Sequence, residues 1–161
     1  MNVALFTGIR ELEICERSRP VLERSGDVLL RIETVGVCGS DIHYYTKGRI
    51  GDQLIDHPAT LGHECAGTVM EICPTVGGLK AGQRVAVDPA ISCGQCDQCR
   101  KGRAHTCRNL QFLGCPGQAP GAVAEYITIA AQSCYPVPDS MTMVQAALVE
   151  PLSVAIHSQR L

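Results

Sequence analysis

No GxG tripeptide occurs in the 161 residues, so the Gly-rich turn that cradles a dinucleotide pyrophosphate at a helix N-terminus is missing from this sequence. No apolar run approaches the roughly 20 residues that span a bilayer. The opening MNVALFTGIR lacks the basic segment and apolar core of a signal peptide. Positive charge is not in excess either: 14 basic against 16 acidic residues leave a net charge of -2. That balance argues against the phosphate-backbone footprint of a nucleic-acid binder. Internal repeats and low-complexity linkers are also missing. The expectation is a soluble, cytoplasmic protein with neither membrane nor nucleic acid as partner. With 45% hydrophobic residues, the length suits one core and one domain over residues 1–161.

What the chain has in quantity is cysteine, ten in all. In a secreted chain these would suggest disulfides, but their clustering at metal spacing favours reduced thiolates in a reducing compartment. Cys93, Cys96, Cys99 and Cys107 form a CxxCxxCxxxxxxxC run in a Gly-rich loop, spacing that can wrap four thiolates around one zinc ion. Four thiolates and one zinc carry a formal charge of about -2, which Arg100, Lys101, Arg103 and Arg108 in the same loop are placed to offset. His105 adds nothing that Cys107 does not provide and reads as a solvated loop residue. Cys15, Cys65, Cys73 and Cys134 have no partner at metal spacing and read as buried small hydrophobes.

A second set of donors lies elsewhere. Cys38 follows a predicted strand, with Ser40 and His43, both able to handle protons, shortly after it. GHECAG supplies His63 and Glu64, and Gly67 stands where an HExxH protease helix would need its second histidine, which excludes that class. Cys38, His63 and one carboxylate would give three protein ligands and leave a fourth position open, the usual arrangement of a catalytic zinc. The carboxylate is either Glu64 or Glu150.

Apolar runs at Val28 to Val35, Ala66 to Ile72, Arg84 to Val87, Val123 to Ile129 and Tyr135 to Val137, separated by glycine-rich turns, predict a β-barrel or sandwich with the ligands on loops and strand ends. Thr142 and Gln145 form a capping-box pattern that opens a short helix, Pro151 is expected to interrupt it, and a second helix is expected from Leu152.

CGSDIHYYTKGRIGD, ATLGHECAGTV, GQCDQCRKGRAHTC and VEPLSVAIH together resemble the zinc-dependent medium-chain alcohol dehydrogenases, most closely the sorbitol and xylitol dehydrogenases, with idonate dehydrogenases close by. The resemblance implies a mainly β, GroES-like barrel with short C-terminal helices, the catalytic domain alone, with the Rossmann domain absent from this sequence. It implies a catalytic zinc on Cys38, His63 and Glu64 or Glu150, and a structural zinc on Cys93, Cys96, Cys99 and Cys107. Ser40 and His43 would relay the substrate proton, Asp41 would support the zinc-bound histidine, and Tyr44 and Phe112 would line a polyol pocket.

The implied reaction interconverts a polyol and a ketose by hydride transfer to NAD(P). In such enzymes a Rossmann domain follows the VEPLSVAIH helix, and the full-length proteins are homo-oligomers. The helix over 152–161 is then expected to be cut mid-element, the chain alone to be inactive, and an apolar patch to be exposed. Gln83 replaces the aspartate of the usual GDRV turn. LGCPGQAPGA departs most from the animal enzymes and brings Cys115 towards the pocket wall. The alternatives are a free-standing, non-catalytic zinc-binding module, or the same chemistry on a simple alcohol, threonine or idonate.

Overall fold

The computed structural model describes residues 1–160. A hairpin of β1 (Asn2–Gly8) and β2 (Glu11–Glu16) comes first, followed by β3 (Asp27–Val35) and helix α1 (Gly39–Lys47). Two short strands, β4 (Arg49–Ile50) and β5 (Gln53–Leu54), precede β6 (Cys65–Ile72), β7 (Arg84–Val87) and β8 (Ala90–Ile91). The four-residue helix α2 (Asp97–Arg100) lies in an excursion that ends at β9 (Gln111–Phe112). Strands β10 (Tyr126–Ala130) and β11 (Cys134–Pro136) and helices α3 (Met143–Ala147) and α4 (Val149–Ser158) follow.

The centre is a five-stranded sheet in the order β10-β3-β6-β7-β11, with every neighbouring pair antiparallel. In β3, Val28, Leu29 and Leu30 are all buried before the chain turns to alternation at Arg31. Val28 and Leu30 join Val69, Val85, Val87, Leu113, Ala122, Ile127 and Ile129 in one core. Burying each large aliphatic side chain stabilises by about 1.5–3 kcal/mol, and the β-branched residues suit a pleated surface. The expected runs at 28–35, 66–72 and 84–87 are strands within a residue of the predicted ends.

Two expectations change, and one element was not foreseen. The β1-β2 hairpin was not legible, because its turn places Arg10, rather than Gly or Asn, in the left-handed region at φ 62. Residues 123–125 belong to a different pairing from β10. Val123 N–H donates to the Leu61 carbonyl and Glu125 N–H to the Asn2 carbonyl, stitching the hairpin to the segment before His63. At the C-terminal end the capping box forms as predicted, Thr142 capping α3 and exchanging hydrogen bonds with Gln145. Pro151, however, does not end a helix: it is the third residue of α4, which begins at Val149 rather than Leu152. Proline is tolerated in a first turn, whose N–H groups have no intrahelical acceptor. Its missing N–H is the one that would have bonded Ala147, the last residue of α3, so the break falls one turn upstream. Of the expected helix 152–161, Leu161 lies outside the described residues. Leu148, Leu152, Val154 and Ile156 are exposed, and α4 buries none of its residues.

A smaller cluster positions α1: Tyr44 packs with Phe6, Ile55 and Leu61. The helix stops at Gly48, whose φ of 68 permits a left-handed cap with its N–H on the Tyr44 carbonyl.

Glu33 on β3 accepts a 2.6 Å hydrogen bond from Thr68 on β6, and this bond, followed by Arg31, holds its carboxyl below the ordinary 4.5. A depressed acid contributes stability above its unfolded pKa and loses it as pH falls through the lower folded value. Thr68→Val should therefore move the Glu33 midpoint up towards 4.5 in a carboxyl NMR titration and narrow the stability advantage just above that pH. An unchanged midpoint would show that the hydroxyl is not the cause.

Candidate metal centres

The four-cysteine segment leaves the body of the protein between β8 and β9, which pair at Ala90 with Phe112 and Ile91 with Gln111 and so close the neck of a lobe. Cys96 precedes α2 and Cys99 lies within it, one turn apart. Sulfur separations are 3.5 Å for Cys96 and Cys99, and 4.0 Å both for Cys93 and Cys99 and for Cys96 and Cys107. A tetrahedron with zinc–sulfur bonds of about 2.3 Å has edges of about 3.8 Å, so the donor set fits that ion. Main-chain N–H groups of Cys93 and Asn109 donate to Cys107 Sγ at 3.2 and 3.4 Å. Hydrogen bonds from Arg108 and Cys99 main chain bring the Cys96 thiol down to about 6. Cys99, desolvated and hemmed in by the other sulfurs, is pushed up to about 12.

Arg108 makes a two-point ion pair with Asp97, at 2.5 and 3.0 Å, which braces α2, and it also lies within electrostatic reach of the Cys96 sulfur, as expected. His105 is exposed, as expected. Among the remaining cysteines, Cys65 and Cys134 are buried and raised to about 12 by burial. Cys15 and Cys73 are only partly buried, contrary to expectation. Cys15 lies on the exposed β2, and Cys73 lies just past the end of β6, where hydrogen bonds from Thr75 and then Gly26 lower its thiol.

The second centre gathers Cys38, His63 and Glu64, whose ligand atoms all lie within 4.8 Å of one another. Cys38 is the N-cap residue of α1, between the end of β3 and the helix, while His63 and Glu64 immediately precede β6. Adjacent pairing of β3 with β6 brings the two segments together, and Gly36 N–H donates to the Glu64 carbonyl at 2.6 Å. Gly36 leaves the Glu64 carboxylate its present place: a Cβ there would collide with it, and the carboxylate would have to move. Three donors of sulfur, nitrogen and oxygen type at this spacing are a small side-chain adjustment from the about 3.5 Å edges of a zinc tetrahedron.

Asp41 is buried, its Oδ2 accepting Cys38 N–H at 3.0 Å and its Oδ1 accepting Gly62 N–H at 3.2 Å. The same Oδ1 is 3.9 Å from His63 Nδ1. Phe112 meets the His63 ring edge-on, with centroids 5.4 Å apart. Ser40 is partly buried and His43 exposed, three residues apart on α1. Tyr44 is buried and its hydroxyl donates to Gln53 at 2.8 Å. Glu150, at the start of α4, stays outside the trio of donors. Burial raises its pKa, His63 opposes the rise, and Glu64 and Asp88 add to it, which puts Glu150 within electrostatic reach of the centre. Gly36, Gln53 and Gln118 went unread as site residues, because a loop glycine and two glutamines carry no spacing signal.

The alcohol dehydrogenase GroES-like domain family matches residues 24–139. A sorbitol dehydrogenase of Bacillus subtilis (strain 168) is 42% identical over 159 residues, covering 98% of this chain and 44% of the relative. An L-idonate 5-dehydrogenase of Vitis vinifera is 39% identical over 157 residues, covering 98% and 42%. Among solved structures, galactitol-1-phosphate dehydrogenase from Escherichia coli superposes with a TM-score of 0.87 at 28% identity, over 98% of this chain and 44% of that one. The chain spans less than half the length of these relatives.

Gly36→Ala should push the Glu64 carboxylate aside and lower zinc affinity at the Cys38 centre by about tenfold, the scale expected when a ligand loses its support. Chelator competition should register that loss while the cysteine lobe keeps its affinity. Equal losses at both centres would mean a global defect instead.

Proposed function

Because the chain belongs to the alcohol dehydrogenase GroES-like domain family, in the polyol branch of the zinc-dependent medium-chain dehydrogenases, we propose that it forms the zinc-bearing part of an NAD(P) oxidoreductase interconverting a polyol and a ketose. The observation that carries this reading is the convergence of Cys38, His63 and Glu64, three donors rather than four, next to the helix bearing Ser40 and His43. A purely structural metal site has no use for an incomplete donor set.

A zinc ion held there would lower the pKa of a substrate hydroxyl, and a nicotinamide bound by residues outside this stretch would accept hydride. The chain's own residues handle the rest. Ser40 and His43 lie on one helix face, one partly buried and the other exposed, so a proton released at the centre can pass outward to water. An imidazole can both accept and give up that proton. Asp41 holds Cys38 and the His63 segment in register through two main-chain N–H groups. Phe112 limits the tilt of the His63 ring. Glu150 is the carboxylate available to alternate with Glu64, as its electrostatic coupling to Glu64 and His63 supports. The substrate is a small polyol of the sorbitol or xylitol type.

A second reading, a non-catalytic zinc module, would need only the four-sulfur site, whose donor set is already complete. Elemental analysis separates the two. Wild type should hold two zincs per chain, and a Cys93→Ser, Cys96→Ser double substitution one. A single zinc that disappears in the double substitution would leave only the cysteine lobe as a metal site and would favour the module.

A further inference from the structure

A continuous set of hydrogen bonds joins four side chains from three segments and ends at the main chain of Phe112. The Tyr44 hydroxyl on α1 donates to Gln53 Oε1 on β5 at 2.8 Å. Gln53 Nε2 donates to Cys115 Sγ at 3.0 Å and to the Pro116 carbonyl at 3.5 Å. Gln118 Nε2 donates to the same sulfur at 3.1 Å, while Gln118 Oε1 accepts the Phe112 N–H at 2.8 Å. The Phe112 carbonyl in turn accepts Cys115 N–H at 3.2 Å. The Phe112 ring is the one that meets His63 edge-on.

Phe112 N–H can only donate, so Gln118 must turn its oxygen to it and its nitrogen to the sulfur, and that amide cannot flip without losing the Phe112 bond. Cys115 Sγ receives both amides and is the point where they meet. Burial, and next the Cys115 sulfur, hold Tyr44 above its ordinary phenol pKa. Main-chain geometry supports the same loop: Gly114, at φ 71, lies so close to the Gly62 carbonyl that a Cβ would stand 2.6 Å from its oxygen. The loop is thereby pressed against the segment that delivers His63.

We propose that Tyr44, Gln53, Cys115 and Gln118 form a brace that positions Phe112 against His63 and tunes the open metal centre, with Tyr44 acting through Gln53. All four are positioning residues. The inference deepens the proposed function and rests on Cys38, His63 and Glu64 being a zinc centre. It gives Tyr44 a positioning role in addition to the pocket-lining one implied by resemblance.

The experiment uses the full 161-residue chain as wild type, Tyr44→Phe, Gln53→Ala, Gln118→Ala and Gln118→Glu, with Gln145→Ala on α3 as a remote control. Two quantities are read: the His63 ring-proton shifts, which sense the Phe112 ring current, and zinc affinity at each centre by chelator competition. Tyr44→Phe, Gln53→Ala and Gln118→Ala should each move the His63 signals and weaken the open centre by about tenfold, leaving the cysteine lobe unchanged. The Tyr44→Phe, Gln118→Ala double variant should lose little more than either single one, because both open the same chain. Gln118→Glu, which keeps the acceptor for Phe112 N–H, should lie between Gln118→Ala and wild type.

Wild-type His63 signals in Gln118→Ala would overturn the proposal, as would equal shifts in Gln145→Ala or fully additive losses. If wild type takes up only one zinc, the zinc reading fails, and the brace is then judged by the His63 signals alone.

Discussion

Asp41 joins two segments that are 21 residues apart in sequence, accepting Cys38 N–H with one carboxylate oxygen and Gly62 N–H with the other. Everything around the open centre depends on that buried carboxylate. It fixes where α1 starts, and hence where the Cys38 sulfur lies, and it fixes the main chain one residue before His63. A buried carboxylate without such partners would carry a desolvation penalty of several kcal/mol, whereas two N–H donors make the same burial a source of rigidity. The side chain acts less as a ligand to the histidine, at 3.9 Å, than as the clamp that brings ligand-bearing loops together.

The two candidate metal sites share a neighbour in Phe112. The strand that carries it closes the neck of the cysteine lobe by pairing with β8, and its ring packs on His63. Phe112 is held by main-chain pairing on one side and by the Gln118 contact on the other. A closed four-sulfur site and a three-donor site have different chemistry, yet one residue of β9 belongs to the surroundings of both. Placing the open donors on loops at the ends of β3 and β6 leaves Cys38 and Glu64 partly exposed and His63 buried, while the sheet below supplies the stiffness.

Much of this was legible because the relevant signals are local. CxxCxxC spacing reports how many thiols one short loop can bring to one point, and the structure places the four sulfurs 3.5 to 4.0 Å apart where such separations are given. Period-two and continuous apolar runs located β3, β6 and β7, and the Thr142 and Gln145 pair located the start of α3. The misreadings also have local causes. Arg10 adopts a turn conformation that sequence statistics reserve for other residues, and Pro151 acts on the carbonyl four residues before it rather than at its own position.

The sequence by itself determined the kinds of atoms available: two donor sets, their residue types, a serine and a histidine on one helix face, and the family to which the motifs belong. That Glu64 rather than Glu150 stands with Cys38 and His63 in this structure depends on the β3-β6 pairing and the space left at Gly36, neither of which is encoded in spacing. The partners of Tyr44, Gln53, Cys115 and Gln118 were likewise decided only by tertiary structure, because a hydrogen bond spanning 62 residues depends on where the chain returns and not on what lies beside it.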